Sequence, residues 1–292
     1  MNPSSQHPWL MVLGTAQDGG VPQTGCQKSC CEWARAQPNR RRMPACLALI
    51  DPQNKMRWVI DCTPDFPAQL ALLNNATDPS WGLGLLLTHA HMGHYVGLVH
   101  LGREVMGADR MPVYCMPQMA VFLKSDAPWR QLVTQGHIEI KDLVHEQSVQ
   151  LSSNFTITPI QVPHRGEISE AVCFKIESGT QAALHLPDID NWEQWDKNIE
   201  EVLTQVDVAW LDGTFFNMAE VGHRDASVIP HPSIETSLAR LAPLDAALKA
   251  KVRFTHLNHT NPACNSASDA YEQILAVGCQ VAQEGETFAL AT

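Results

Sequence analysis

The 292-residue chain lacks any apolar run near the ~18 residues that a membrane-spanning helix needs, so a helical membrane protein is not expected. Met1 to Pro8 carries no positive charge, and Trp9 to Leu13 is shorter than the apolar region of a secretory leader. A basic excess is also missing. Against 31 Asp and Glu stand 20 Lys and Arg, a net charge of −11, which disfavours nucleic acid or anionic membrane as bulk-charge partners. The one basic run, Arg40 to Arg42, reads as a solvated edge. Nine cysteines, odd in number and unevenly spread, do not make a disulfide framework; with no leader in view they point to a reducing, cytoplasmic setting. No repeat, low-complexity stretch or linker divides the chain, so residues 1–292 are expected to form one α/β domain, and a hydrophobic content of 45% supplies its core.

What the chain does have is histidine at strand ends. Leu83 to Leu87 is an apolar run too short for an ordinary helix and reads as a buried strand. His89, His91 and His94 follow as H-x-H-x-x-H, and the apolar residues from Tyr95 to Met106 predict a packed helix. Imidazoles at a strand-to-helix junction converge easily, and neutral imidazole is the commonest metal ligand among side chains. A second cluster, Cys26, Cys30 and Cys31, follows a glycine-rich loop and suits a thiolate metal site whose fourth ligand comes from elsewhere. Its C-x3-C-C spacing leaves open which of the three thiols bind.

Other polar residues recur where strands should stop. Cys46 to Asp51 and Arg57 to Asp61 read as a hairpin, followed by a helix from Thr63 to about Leu73; Asp65 either caps that helix or orients a ligand histidine. His164 follows a strand at Phe155 to Val162. Asp188 follows the second arm of a hairpin, Ala171 to Glu177 and Gln181 to Leu186, and a helix is expected at Trp192 to Leu203. Asp212 ends a strand at Val206 to Leu211. His256 and His259 follow a strand at Val252 to Thr255, and a helix at Ser268 to Ala276 precedes a final hairpin ending at Leu290. His223 and His231 lie in a polar loop and suit an anionic substrate or plain solvent exposure. His185, as a strand residue, points either to the site or into the core. Side chains gathered from several strand ends are a common way to build a site on an α/β scaffold.

These words together resemble the metallo-β-lactamase superfamily from about Trp9 to Leu290. The likeness is to the branch that holds the pyrroloquinoline quinone biosynthesis protein PqqB and phosphonate-pathway phosphodiesterases. It is carried by Leu13-Gly14-Thr15-Ala16, Thr63-Pro64-Asp65, Leu211-Asp212-Gly213-Thr214-Phe215 and His259-Thr260-Asn261-Pro262, beside the histidine motif. The resemblance implies a four-layer αββα sandwich with the site at one sheet edge. It places a first metal on His89, His91 and His164, and a second on His94, Asp188 and His256, with Asp188 shared. The superfamily's motif is H-x-H-x-D-H, and its aspartate position is Gly93 here, so the second site is one carboxylate short. The phosphodiesterase branch further implies a structural zinc on the cysteine cluster and His259. Tightly bound iron at the histidines would favour oxygen chemistry, whereas zinc or manganese there would support hydrolysis of a phosphodiester, thioester or lactone in a small anionic substrate. His94 and Asp188 would then be catalytic, with Asp65, Asp212 and His231 behind the ligands or against substrate. The alternatives are an iron-dependent hydroxylation of PqqB type and a metal-holding protein without turnover.

Overall fold

A computed structural model describes residues 6–222 and 230–290; His223 lies outside them. It contains two seven-stranded sheets. The first is built by β1 (Trp9–Gly14), β2 (Cys46–Asp51), β3 (Met56–Ile60), β4 (Gly82–Leu86), β5 (Met111–Cys115), β6 (Ile138–Asp142) and, from the far end of the chain, β14 (Thr287–Ala289). Its order is β14-β1-β2-β3-β4-β5-β6. The second is built by β7 (Val149–Gln150), β8 (Thr156–Gln161), β9 (Val172–Ser178), β10 (Gln181–Leu186), β11 (Val208–Asp212), β12 (Val252–Thr255) and β13 (Gln280–Val281), in reverse order from β13 to β7. Both sheets are mixed, antiparallel on one side and parallel on the other.

The apolar runs explain the layers. A strand covered on both faces has no polar alternation to show. In β1, Trp9, Met11 and Leu13 face a helical layer, whereas Leu10 and Val12 enter the space between the sheets. Trp58, Phe155, Phe174 and Trp210 fill that space, Trp58 meeting Phe155 edge-on at 6.1 Å. Outside the first sheet lie α2 (Phe66–Ala76), α4 (Pro117–Ser125) and α5 (Trp129–Thr134). Outside the second lie α6 (Ile199–Thr204), α7 (Ile234–Leu241) and α9 (Asp269–Val277). This is the four-layer αββα sandwich. Among the described residues no helix is long and apolar enough to cross a membrane.

Three local expectations are corrected. After the histidines the chain makes only a short helix, Met92–Tyr95, and then a 3-10 stretch, Val96–Leu101. Gly97 packs so tightly there that a Cβ would stand 2.2 Å from the carbonyl oxygen of Thr63, and Val105 and Met106 are exposed. The helix expected at Trp192 to Leu203 divides into a 3-10 turn, Trp192–Gln194, and α6, each with its own asparagine cap, Asn191 and Asn198. The final hairpin does not form, because β13 pairs with β12 in one sheet and β14 with β1 in the other. The chain crosses the sandwich at Gly285, whose φ of 82° is easy only for glycine.

Candidate metal centre

The edge of the sandwich where β3, β4, β8, β10, β11 and β12 end gathers the polar residues. His89, His91 and His94 follow β4, His164 follows β8, Asp188 follows β10, and His256 follows β12. His164 Nε2 lies 3.1 Å from His91 Nδ1, and these atoms cluster with a ring nitrogen of His89. Beside them, Asp188 Oδ2 stands 2.9 Å from His94 Nε2, 3.3 Å from His256 Nε2 and 3.8 Å from His89 Nε2, and Asp188 Oδ1 is 3.8 Å from His164 Nε2. Asp188 therefore lies between two groups of imidazoles. A residue that sequence reasoning did not single out completes the second group. Asp18, from the glycine-rich loop, sets its Oδ1 3.3 Å from His94 Nε2 and 3.4 Å from His256 Nε2. Its only local signal was an acid among glycines.

Four of the imidazoles, those of His89, His94, His164 and His256, are held from behind. Asp61 Oδ2 accepts from His94 Nδ1 at 2.7 Å, Thr88 Oγ1 meets His89 Nδ1 at 3.0 Å, and Asp190 Oδ1 accepts from His164 Nδ1 at 2.7 Å. Thr214 Oγ1 meets His256 Nδ1 at 3.0 Å and itself donates to Asp212 Oδ1 at 2.7 Å. His231 Nδ1 donates to Asp212 Oδ2 at 2.8 Å and lies 3.8 Å from Asp188 Oδ1. Hydrogen bonds of this kind choose the free nitrogen of a ring and fix its aim. Two of these residues, Asp61 (φ 70°) and His256 (φ 60°), sit in the left-handed backbone region, a conformation that non-glycine residues adopt only when surroundings enforce it. The expectation that Asp65 orients a histidine is corrected to Asp61. Asp65 is exposed and begins α2 without a side-chain cap, whereas Asp61 is buried where β3 ends against Thr88. His185 is buried close to His94, His256 and Asp188, and among the described residues no protein group bonds either ring nitrogen.

Among the described residues, five buried atoms at this edge have no hydrogen-bond partner: His89 Nε2, His94 Nε2, His256 Nε2, Asp18 Oδ1 and Asp188 Oδ2. Stranding so many polar atoms together would cost several kcal/mol unless something bonds them all. Four donors at ~2.1 Å around a tetrahedral ion stand ~3.4 Å apart, close to the spacings here. The donor set thus fits a divalent cation. Burial alone would raise the Asp188 carboxyl, but the imidazoles, His256 foremost, hold it well below the usual range. Burial lowers His89 strongly, aided by His94. Burial would lower His231 also, yet Asp212 overrides it and lifts the imidazole to about 9.

A second cluster lies nearby. Cys26, Cys30, Cys31 and His259 bring their donor atoms within 4.8 Å of one another at the start of α1 (Ser29–Arg35). Cys31 Sγ is 3.4 Å and Cys30 Sγ 3.7 Å from His259 Nδ1; the backbone amides of Gln23 and Lys28 donate to the sulfurs of Cys31 and Cys26. All nine cysteines are free thiols. The arginine run is not simply solvated: Arg42 donates to Thr15 Oγ1 and to the carbonyls of Ala282 and Cys264, and Arg40 stacks 4.6 Å over Trp33. These arginines, with Cys264 and Glu284, line a cavity of about 600 Å³ whose walls include neither the His/Asp centre nor Cys26, Cys30 and Cys31. A cleft of about 450 Å³, lined by Gln118, His145, Trp195 and Asp196 among others, opens onto His164.

The model of the beta-lactamase superfamily domain matches residues 56–257, which include every imidazole and Asp188 of this edge. The chain belongs to the metallo-β-lactamase superfamily. Within the superfamily it is 26% identical to the coenzyme PQQ synthesis protein B of Xanthomonas axonopodis pv. citri, over 96% of this chain and 99% of that one. The crystal structure of Zn(2+)-bound PqqB from Methylobacterium extorquens superposes with a TM-score of 0.80 at 21% identity, covering 97% of this chain and 100% of that one. A diphosphatase from the PhnP family superposes with a TM-score of 0.67 at 25% identity, covering 98% of both chains. The PqqB neighbour holds zinc, and the described His and Asp donors of this chain form groups whose spacing could hold a metal ion.

Proposed function

We propose that the chain is a metal-dependent hydrolase that cleaves an ester-type bond, a phosphodiester foremost, in a small anionic substrate. The observation that carries this reading is the set of five buried heteroatoms aimed at one edge with Asp188 between the two imidazole groups. His89, His91 and His164 would hold one ion, and His94, His256 and Asp188 a second. A bound dication supplies Lewis acidity, bringing the pKa of a coordinated water to ~7 and neutralising an ester oxygen.

The side chains supply the rest. Asp188 keeps one carboxylate between the two groups and can accept the proton of an attacking water at Oδ1 or Oδ2. His231, whose Nδ1 donates to Asp212 and lies 3.8 Å from Asp188 Oδ1, would give a proton to a departing oxygen from its other nitrogen, Nε2. Asp61, Thr88, Asp190 and Thr214 keep the rings from turning, which places the reacting atoms before substrate arrives. The likeness to a PhnP-family diphosphatase supports an anionic phosphoester substrate. The cysteines and His259 form a four-donor set that suits a structural zinc. Nine free thiols support a reducing, cytoplasmic setting.

The test is turnover of bis-p-nitrophenyl phosphate by zinc- or manganese-loaded protein. Activity should fall by roughly 10²–10³ or more in His89→Ala and Asp188→Asn. A wild type inert on phosphodiesters, thioesters and lactones alike would overturn hydrolysis. A second reading has its own support, since the curated relative matched along nearly its whole length is named for coenzyme PQQ synthesis. It is an iron-dependent oxidation in cofactor assembly. Tightly held iron together with oxygen-dependent turnover would establish it over hydrolysis.

A further inference from the structure

We propose that Asp18 is the carboxylate ligand of the second metal centre, supplied by the N-terminal loop in place of the side chain that Gly93 lacks. The inference rests on the metal-dependent reading above and adds a ligand to it.

Two independent observations meet at this residue. The first is the aim of the carboxylate. The Asp18 side chain as a whole is 43% exposed, yet its Oδ1 is buried, has no hydrogen-bond partner, and stands 3.3 and 3.4 Å from the unpartnered Nε2 atoms of His94 and His256. Other acids at this edge are already engaged: Asp61 holds His94 from behind, Asp190 holds His164, Asp212 holds His231, and Glu167 is exposed beside His91. Apart from Asp188, Asp18 is the carboxylate among the described residues that turns an unpartnered buried oxygen to this group.

The second observation is the space at position 93. A Cβ built on Gly93 would stand 2.3 Å from Asp18 Oδ1, 2.4 Å from its Cγ and 2.6 Å from its Cα. Non-bonded carbons do not approach so closely. The loop therefore occupies the volume that a side chain at 93 would take, and either an acid at 93 or this loop can be present, but not both. Glycine at 93 is the counterpart of aspartate at 18. The loop is also fixed to the ligand it serves. The amide of Gln17 donates to the carbonyl of Leu257 at 2.9 Å, and the amide of Leu257 donates to the carbonyl of Thr15 at 2.9 Å. Asp18 and His256 thus project from two backbones tied one residue away from each. With Asp18 included, the second centre has two imidazoles and two carboxylate oxygens, and the shortage of negative charge implied by Gly93 disappears.

The experiment is metal stoichiometry and affinity on full-length protein, stripped with chelator and reloaded with zinc, read by elemental analysis and by competition with a chromophoric chelator. Wild type should take up two ions at the histidines besides one at the cysteines. Asp18→Asn and Asp18→Ala should each lose one histidine-centre ion or bind it at least ~10-fold more weakly, with the other ions retained. Gly93→Ala should cause the same loss by displacing the loop, and His89→Ala combined with Asp18→Ala should empty the histidines of both ions. Thermal melting of the metal-free variants at position 18 should match wild type, since the side chain is 43% exposed and belongs to none of the apolar clusters. Asp18→Asn holding the second ion within threefold of wild type would overturn the proposal. A wild type with one histidine-centre ion would overturn it while leaving metal-dependent hydrolysis standing, and a wild type with none would overturn both.

Discussion

The histidine edge and the cysteine cluster draw on distant parts of the chain, and they differ in what is left once the side chains have met. Cys26, Cys30, Cys31 and His259 are four donors, three of them soft, with no carboxylate among them and with backbone amides on two sulfurs. Four such donors close a tetrahedral shell around zinc and leave no position for a substrate. The histidine edge has more donors than one shell needs, one carboxylate between two groups, and a rear row of Asp61, Thr88, Asp190 and Thr214. A closed soft cage serves to tie loops together, whereas a shared, hard-edged donor set with aimed rings is the form that chemistry requires.

That contrast can be broken by experiment. The largest effect is expected from Cys31→Ser, which should remove one zinc equivalent and lower Tm by ~5 °C or more while leaving the ion on His89, His91 and His164 in place. Zinc content equal to wild type would put Cys31 outside the cage. Next comes Asp61→Asn. It should weaken the ion at His94 by ~10–100-fold without touching the cysteine site, measured by competition titration, because it loosens the aim of a ring rather than deleting a donor. If the affinity is unchanged, the strained backbone at Asp61 serves only the fold.

The smallest effect comes from a residue in neither centre. Burial lifts the Glu284 carboxyl from an ordinary 4.5 to about 7, although it accepts a hydrogen bond from the Met43 amide and faces Arg42. A carboxyl raised in the folded state binds more protons there than in the unfolded chain. Stability from this group is therefore present below pH 4.5 and is lost as pH rises through about 7. Between pH 5 and 8, Glu284→Gln should lose less Tm than wild type, with unchanged metal content. Parallel melting curves would show that the buried carboxyl has no such role.

The strands could be read locally because their two buried faces leave continuous apolar runs, and Trp9 to Leu13 shows how such a run divides between a helical layer and the inter-sheet core. Periodicity was a poorer guide near Tyr95 to Met106, where close packing at Gly97 replaces a long helix with a short one and a 3-10 stretch. It also failed at the C-terminus, since a strand's pattern does not name its partner, and β13 and β14 belong to different sheets.

By itself, then, the sequence determined the donor chemistry: imidazoles and an aspartate after strands, thiols after a glycine-rich loop, and the gap at Gly93. Tertiary structure alone decided that Asp61 rather than Asp65 supports His94, that all three clustered cysteines meet His259, and that Asp18 fills the gap. The reason is physical. Residue type and local spacing are written along the chain, but a multi-ligand centre is defined by distances of a few ångströms through space. Those distances exist only after two sheets have packed and brought residue 18 beside residue 256.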